Sequence, residues 1–321
     1  MWGREGKEVK VREVIIIGGG IAGLSAGVYL GRSRRDTLLL HSGKSMAKWE
    51  DDVQNYLGFP DGIAGNDLLE RGRRQVQRFQ VEMLEDEVRS LAKDGETFRV
   101  RTPGAVYESK RVLLATGLTH LPPDIPGVLE CLGCSVFFCK DCDAFRVQGK
   151  RIAVIGRNNE AIEYALAMLL FSPSVMIATN GKAIVWEERH GKWLEEYRIP
   201  VRCDPITAVE HEDGQLSALT FKEGESVEVD AAFATRGDIS HSELAEAVGA
   251  ALDADGQITV DDKLRTSVGG LYAAGCVTPA NCQMIIAAGQ GAIAAQSINR
   301  DLFEESLSRH CVPVYGMEVK K

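Results

Sequence analysis

Val14-Ile15-Ile16-Ile17-Gly18-Gly19-Gly20-Ile21-Ala22-Gly23 decides the fold. The β-branched run reads as a buried strand and the apolar spacing of residues 21–30 as a helix, so the glycines form the turn of a βα unit. Gly18 permits the tight turn, Gly20 leaves room for a pyrophosphate to approach the backbone, and Gly23 lets the helix pack close to the strand. The helix N-terminus offers N–H groups to the phosphates. The position where an acid often holds an adenosine ribose falls near His41-Ser42, so the motif alone does not separate FAD from NAD.

Working outward, the run at 37–40 supplies the next buried strand, residues 67–79 a helix, and 97–101 and 112–115 further strands, ending in Ala115-Thr116-Gly117. Pro122, Pro123 and Pro126 then mark a linker. A second βα unit starts at Ile152, has its next strand at 175–178, and continues through a hairpin turning at Asp213-Gly214. Near Asp238 the chain leaves this unit, and strand-like 257–260 and 271–274 with helical 284–302 return to complete the first. The expected class is α/β, with two Rossmann-like three-layer dinucleotide-binding domains, the second inserted in the first. The expected bounds are 1–120 with 240–321, and 121–239.

Composition frames the function. The 321 residues are 45% apolar and 26% charged, enough for two cored domains. A formal net charge of -9 argues against nucleic-acid binding, which needs a basic surface. Residues 14–17 are too few to span a bilayer and residues 1–12 lead into no signal-peptide core, so a cytoplasmic protein without a membrane partner is expected. In a reducing compartment, eight cysteines point to catalysis, metal binding or burial rather than a disulfide framework.

Cys139-Lys140-Asp141-Cys142-Asp143 carries the chemistry. Two cysteines separated by two residues suit reversible two-electron exchange, because a mixed disulfide on one is resolved by the other. Lys140 favours a thiolate, Asp141 opposes one, and Asp143 can accept or return a proton. Cys131 and Cys134 form another CxxC just upstream. Four sulfurs could hold zinc, but the gap is far shorter than zinc-ribbon spacing, so no metal is expected. Small packed residues are the favoured reading of Cys131 and Cys134, ahead of a second relay. Cys203, Cys282 and Cys311 show no pairing pattern and read as structural.

The ordered signals Gly18-x-Gly20-x-x-Gly23, residues 55–60 (NYLGFP), Ala115-Thr116-Gly117, Cys139-x-x-Cys142-Asp143, residues 270–275 (GLYAAG) and Gln283 resemble the low-molecular-weight thioredoxin reductases over nearly the whole chain. The resemblance implies FAD in the discontinuous domain, held by Gly18, Gly20, Ile21, Ala22, Gly23, His41, Asn55, Ala115, Thr116, Gly117, Gly275, Cys276 and Gln283. It also implies a homodimer, and a domain rotation that alternates the dithiol between flavin and a protein disulfide, that of thioredoxin or a similar protein. Cys142 would face the flavin, Cys139 would attack the partner, and Asp143 would serve as acid and base.

Two departures qualify the resemblance. NADPH-using members carry a glycine-rich turn and a basic cluster in the second domain. Here the turn is Gly156-Arg157-Asn158-Asn159-Glu160-Ala161, with Asn158 in place of a glycine and Glu160 adding negative charge at a helix start. After strand 175–178 comes Thr179-Asn180-Gly181-Lys182, with no arginine fork for a 2′-phosphate. NADPH is therefore disfavoured, and the chain resembles the pyridine-nucleotide-independent branch of these flavoproteins. In the flavin site, Gly275-Cys276 replaces the family's Gly-Asp, Thr278 and Asn281 are candidate substitutes, and Cys276 reads as a small buried residue.

Other electron partners follow. Ferredoxin is one, seeking a basic patch at Arg32, Arg34 and Arg35, or at Arg71, Arg74 and Arg78 on one helical face. Molecular oxygen, with the enzyme as a dithiol oxidase, and a second flavin are others. An ordinary NADPH-dependent reductase and a flavin-based redox sensor are the alternative functions; a sensor needs no acid beside its dithiol.

Overall fold

The computed structural model describes residues 10–222, 224–235 and 237–314; the expectations for the first nine residues and for the tail beyond 314 lie outside them. The chain divides into two compact units, Met1–Thr119 with Ser240–Lys321, and His120–Ile239.

The first unit opens with β1 (Val11–Ile17), α1 (Ile21–Arg32) and β2 (Thr37–His41). It continues through α2 (Gly65–Arg78), β3 (Glu82–Glu85), β4 (Ser90–Asp94), β5 (Thr97–Arg101) and β6 (Val106–Leu114), and β7 (Leu118–His120) then leads out of it. β1 pairs parallel with β2 and with β6, and β2 with β3. The Ile15 register with Leu38 and Val112 places three fully buried side chains in one row. β4 and β5 add an antiparallel flap to the first half of β6.

The second unit holds β8 (Val136–Phe137), the one-turn α3 (Lys140–Asp143), β9 (Ile152–Ile155), α4 (Asn159–Met168), β10 (Val175–Ala178), α5 (Glu188–Glu196) and β11 (Val201–Arg202). Next come β12 (Ile206–Glu212), β13 (Gln215–Phe221), β14 (Ser226–Glu228), β15 (Ala231–Ala234) and the exit strand β16 (Asp238–Ser240). The central sheet is parallel, in the order β11-β10-β9-β15-β8. β12 to β14 form the expected hairpin and a third strand, turning where Asp213 and Gly214 both have positive φ. Ile152 and Val154 pack under α4 and α5, while Ala153 and Ile155 pack under the β12–β14 meander. That alternation makes three layers.

The chain then returns through α6 (Glu243–Glu246), β17 (Leu271–Ala273) and the long α7 (Met284–Ser308). β17 joins β6 in parallel at Leu271–Val112. Val14, Ile16 and Leu39 face α1, α2 and α7, whereas Ile15, Ile17 and Leu38 face the flap and α6. Each fully buried Ile or Leu in this sandwich contributes about 2 kcal/mol. The fold is thus the mixed α/β, parallel-sheet architecture expected. One strand differs: 257–260 makes only an isolated bridge, Leu252 with Ile258, because Ile258 N–H goes instead to Val277 O and Thr259 N–H to Ala251 O. Among the described residues no helix is long and apolar enough to cross a membrane.

Candidate active site

The dithiol lies where β8 ends. Cys139 caps α3, Cys142 lies within it, and the two sulfurs are joined, with Cα atoms 5.3 Å apart. The Cys142 N–H donates to Cys139 Sγ at 3.1 Å, so a reduced Cys139 finds a donor that favours its thiolate. Lys140 and Asp141 pair with each other at 2.7 Å, which cancels their opposed effects on the sulfurs. Asp143 Oδ1 lies 3.2 Å from Arg146 Nη1, and its side chain is only 13% exposed. Arg146 stacks on the Phe137 ring, Tyr164 Oη donates to Phe138 O at 3.0 Å, and His120 Nδ1 meets Asp238 Oδ1 at 2.8 Å. Sequence reasoning missed Arg146, Tyr164 and the His120–Asp238 pair, since none lies in a motif and each is brought in by the sheet.

The residues expected to hold FAD converge within the first unit. A Cβ on Gly18, whose φ is +120°, would lie 2.1 Å from Ala115 O, and one on Gly23 would lie 1.9 Å from Gly18 O. Both glycines are therefore fixed by the close approach of β1, α1 and the end of β6. Gly20 differs: its Cβ would meet only Ser45 Oγ, at 3.6 Å, leaving the open approach that a pyrophosphate needs. Ile21 and Ala22 begin α1, Gly275 packs on Ala22, and Thr116 Oγ1 and Gly117 O bond the backbone of His241. Asn55 Nδ2 donates to Gln283 Oε1 at 2.8 Å, joining two motifs 228 residues apart.

His41 ends β2 and its side chain packs against Gly19. It lines a cavity of about 410 Å³ with Lys48, Arg73, Gln77 and Glu85. Burial, against the pull of Glu85 and aided by Arg73 and Lys48, lowers its pKa. Gly43 N–H donates to its Nδ1 at 3.2 Å, which assigns the neutral ring a proton on Nε2, a donor suited to a ribose hydroxyl. The glycine cradle and this cavity together fit a flavin dinucleotide.

The segment after β17 corrects the sequence reading. Cys276 and Cys282, read as small and structural, form a second disulfide with Cα atoms 4.9 Å apart. The turn from Gly275 to Gln283 folds back on itself, and a six-residue separation carries no recognisable pairing signal. Thr278 is fully buried with Oγ1 donating to Gly275 O, so it does not stand in for the family's acid. Gln290, unnoticed in the sequence, accepts the Gly275 N–H at 2.7 Å. Of the other pair, Cys131 is a fully buried free thiol whose pKa burial pushes up, and Cys134 is free and exposed.

The second βα turn is tied to a later segment of its own chain, with Arg157 and Asn158 exposed at its tip. Asn158 caps α4 through Oδ1 to Ala161 N–H, at 3.2 Å. Residues 183–187 lie along the turn: Val185 N–H donates to Arg157 O at 2.9 Å, Glu187 N–H to Asn159 Oδ1 at 2.8 Å, and Arg157 Nη1 to Ala183 O at 3.3 Å. A Cβ on Gly156 would strike Thr235 Oγ1 at 1.9 Å, so this glycine is used for packing. Beyond β10, Asn180 Oδ1 accepts the Ile206 N–H and Lys182 is exposed.

The arginine groups are redrawn. Arg35 is taken up by Glu13 and Asn299. Arg71 lies over Phe59, whereas Arg32 and Arg78 both flank Phe79 and line one shallow depression with Arg34. The sequence split this cluster between two helices.

The family described as pyridine nucleotide-disulphide oxidoreductase matches residues 12–295. A thioredoxin reductase of Treponema pallidum is 31% identical over 296 residues, covering 89% of this chain and 95% of its own. Among solved structures, that of HlmI superposes with a TM-score of 0.87 at 30% identity, covering 96% of both chains. A putative thioredoxin reductase TrxB of Bacillus anthracis superposes with a TM-score of 0.83 at 29% identity, covering 92% of this chain and 99% of that one. A cradle for a dinucleotide in one unit and a paired CxxC in the other are what this family's chemistry needs, and the chain belongs to the pyridine nucleotide-disulphide oxidoreductases as a thioredoxin reductase-like, flavin-dependent disulfide oxidoreductase.

Proposed function

We propose that the protein passes electrons to the disulfide of thioredoxin or a similar protein and takes them from a donor other than NADPH. The observation that carries the second half is the strap of residues 183–187, tied by three hydrogen bonds to the turn 157–159. A pyrophosphate at that turn would need the N–H groups and space of the α4 start. Here Asn158 caps the helix, Glu160 adds charge in its first turn, and the strap is hydrogen-bonded to the loop.

FAD, when bound, supplies the two-electron group. The thiolate of Cys139, helped by the Cys142 N–H, attacks the partner disulfide; a Cys139–partner S–S bond forms and one partner thiolate leaves. Cys142 then attacks Cys139 Sγ, re-forming the internal disulfide and releasing the second partner thiol. Asp143, oriented by Arg146, holds and returns the proton of Cys142. Reduced ferredoxin is the favoured donor, because Arg32, Arg34 and Arg78 gather into one basic depression on an otherwise acidic chain. A homodimer is expected. Exposed Ile285, Ile293, Phe303 and Leu307 fall on one face of α7, which suits a second copy.

Anaerobic titration of the flavin with NADPH, NADH, reduced ferredoxin and dithiothreitol tests the proposal. Bleaching by ferredoxin and slow response to either nicotinamide is the expected pattern. Saturable reduction by micromolar NADPH would return the protein to the ordinary reductases.

A further inference from the structure

The geometry points to a second redox couple: we propose that Cys276 and Cys282 form a reversible dithiol/disulfide that exchanges with dithiols independently of Cys139 and Cys142. The two sulfurs are bonded, and both residues are half-buried, neither closed off from solvent.

A purely structural role fits poorly. The bond closes a ring only six residues apart in sequence, and short rings remove the least entropy from the unfolded chain. A chain of 321 residues with large buried cores has no need of such a staple. The turn is also held without it. Gln290 Oε1 accepts Gly275 N–H at 2.7 Å, Gln257 Nε2 donates to Cys276 O at 3.2 Å and Thr278 O at 3.1 Å, and the buried Thr278 Oγ1 donates to Gly275 O at 2.8 Å. These bonds hold the Cys276 side of the turn, and the Asn55–Gln283 hydrogen bond holds the residue after Cys282, which favours re-closure after reduction. The location adds a consequence. Cys276 follows Gly275 and Cys282 precedes Gln283, which accepts from Asn55, so the couple brackets a segment of the flavin site.

The reaction balances within itself. One thiolate of an incoming dithiol attacks either sulfur; the Cys276–Cys282 bond breaks, a mixed disulfide forms, and the other cysteine leaves as a thiolate. The second thiol of the reagent then displaces the mixed disulfide. The protein gains two thiols and the reagent ends as its own disulfide. The inference does not depend on which donor serves the first pair.

Peptide-resolved alkylation tests it on folded holoprotein, with dithiothreitol as the dithiol. Before reduction, Cys276 and Cys282 should resist iodoacetamide even after denaturation. After anaerobic dithiothreitol treatment of the folded protein both should be fully labelled, and removal of the reagent in the presence of oxidised dithiothreitol should restore protection. Repeating the series on C139S/C142S should give the same two-thiol change. Labelling before reduction would overturn the proposal, and so would a bond that dithiothreitol opens only in unfolded protein. If that variant folds poorly, C139A, which also lacks the first disulfide, is read in its place with the same two-thiol change expected at Cys276 and Cys282. Loss of exchange in a folded C139S/C142S protein would make the couple dependent on the first pair and also overturn the proposal.

Discussion

The backbone N–H of Val185 donates to the carbonyl of Arg157 at 2.9 Å, so a segment beyond β10 is laced to the turn between β9 and α4. In a nucleotide-binding βα unit that turn faces the phosphates. Restoring a glycine at Asn158 therefore leaves the strap in place, and N158G should gain less than about ten-fold in NADPH-dependent flavin reduction. Stopped-flow absorbance of N158G against wild type checks this; a large gain would assign the block to Asn158 alone.

The two kinds of glycine in the first turn should separate. A Cβ at Gly20 meets only Ser45, so Gly20→Val should leave the fold intact while abolishing FAD retention. Alanine at Gly23 puts a carbon 1.9 Å from Gly18 O and should cost about 3 kcal/mol of stability. Urea titration and the FAD absorbance of purified variants read the two effects; equal destabilisation would show that Gly20 is also a packing residue.

The roles of the dithiol differ in colour. If Cys142 is the sulfur that serves the flavin, as the family resemblance implies, Cys139→Ser should leave its thiolate free to add a long-wavelength band to the oxidised flavin, and Cys142→Ser should add none. Both variants should fall to background in disulfide turnover. The reversed pattern of spectra would exchange the two assignments.

Asp301 on α7 accepts from Arg265 Nε at 3.0 Å and from the buried Tyr272 hydroxyl. Burial works against its carboxylate, but these hydrogen bonds and the Arg265 charge outweigh it and hold its pKa below the usual range. A depressed folded pKa means that the unfolded chain takes up protons first. The contribution is present above the unfolded value of about 3.9 and is lost as pH falls through the folded one. D301N should cost about 3 kcal/mol near neutrality and flatten the loss of stability between about pH 5 and 3. Urea midpoints across that range decide it.

Much of this was legible in the residues. The Val14–Ile17 run and its glycines are local signals, and so are the strands at 97–101 and 175–178 and the Asp213-Gly214 turn. What was not legible depends on folding back. Cys276 meets Cys282 only because the turn after β17 reverses, and Arg32 meets Arg78 only because α1 and α2 both end beside Phe79. The strap is invisible for a similar reason, since backbone groups of Val185 and Glu187 carry no side-chain motif. The 257–260 strand failed because its apolar alternation reports burial and does not name a ladder partner.

The basic depression gives a contrast between neighbouring arginines. Charge reversal at Arg32 and Arg78 should slow reduction by ferredoxin on the order of ten-fold at low salt and weaken its salt dependence, while reversal at Arg71, over Phe59, should do less. Observed rates across a salt series supply the comparison, and an equal effect at Arg71 would spread the docking surface along α2.

The central claim is the identity of the electron donor, and stopped-flow reduction of the bound flavin addresses it most directly. With oxidised holoenzyme under anaerobic conditions, reduced ferredoxin should bleach the flavin rapidly, and NADPH at the same concentration should leave it oxidised over the same time. Fast, saturable bleaching by low NADPH would contradict the account, because the strap from residue 183 to 187 would then be no barrier at the turn it is bonded to.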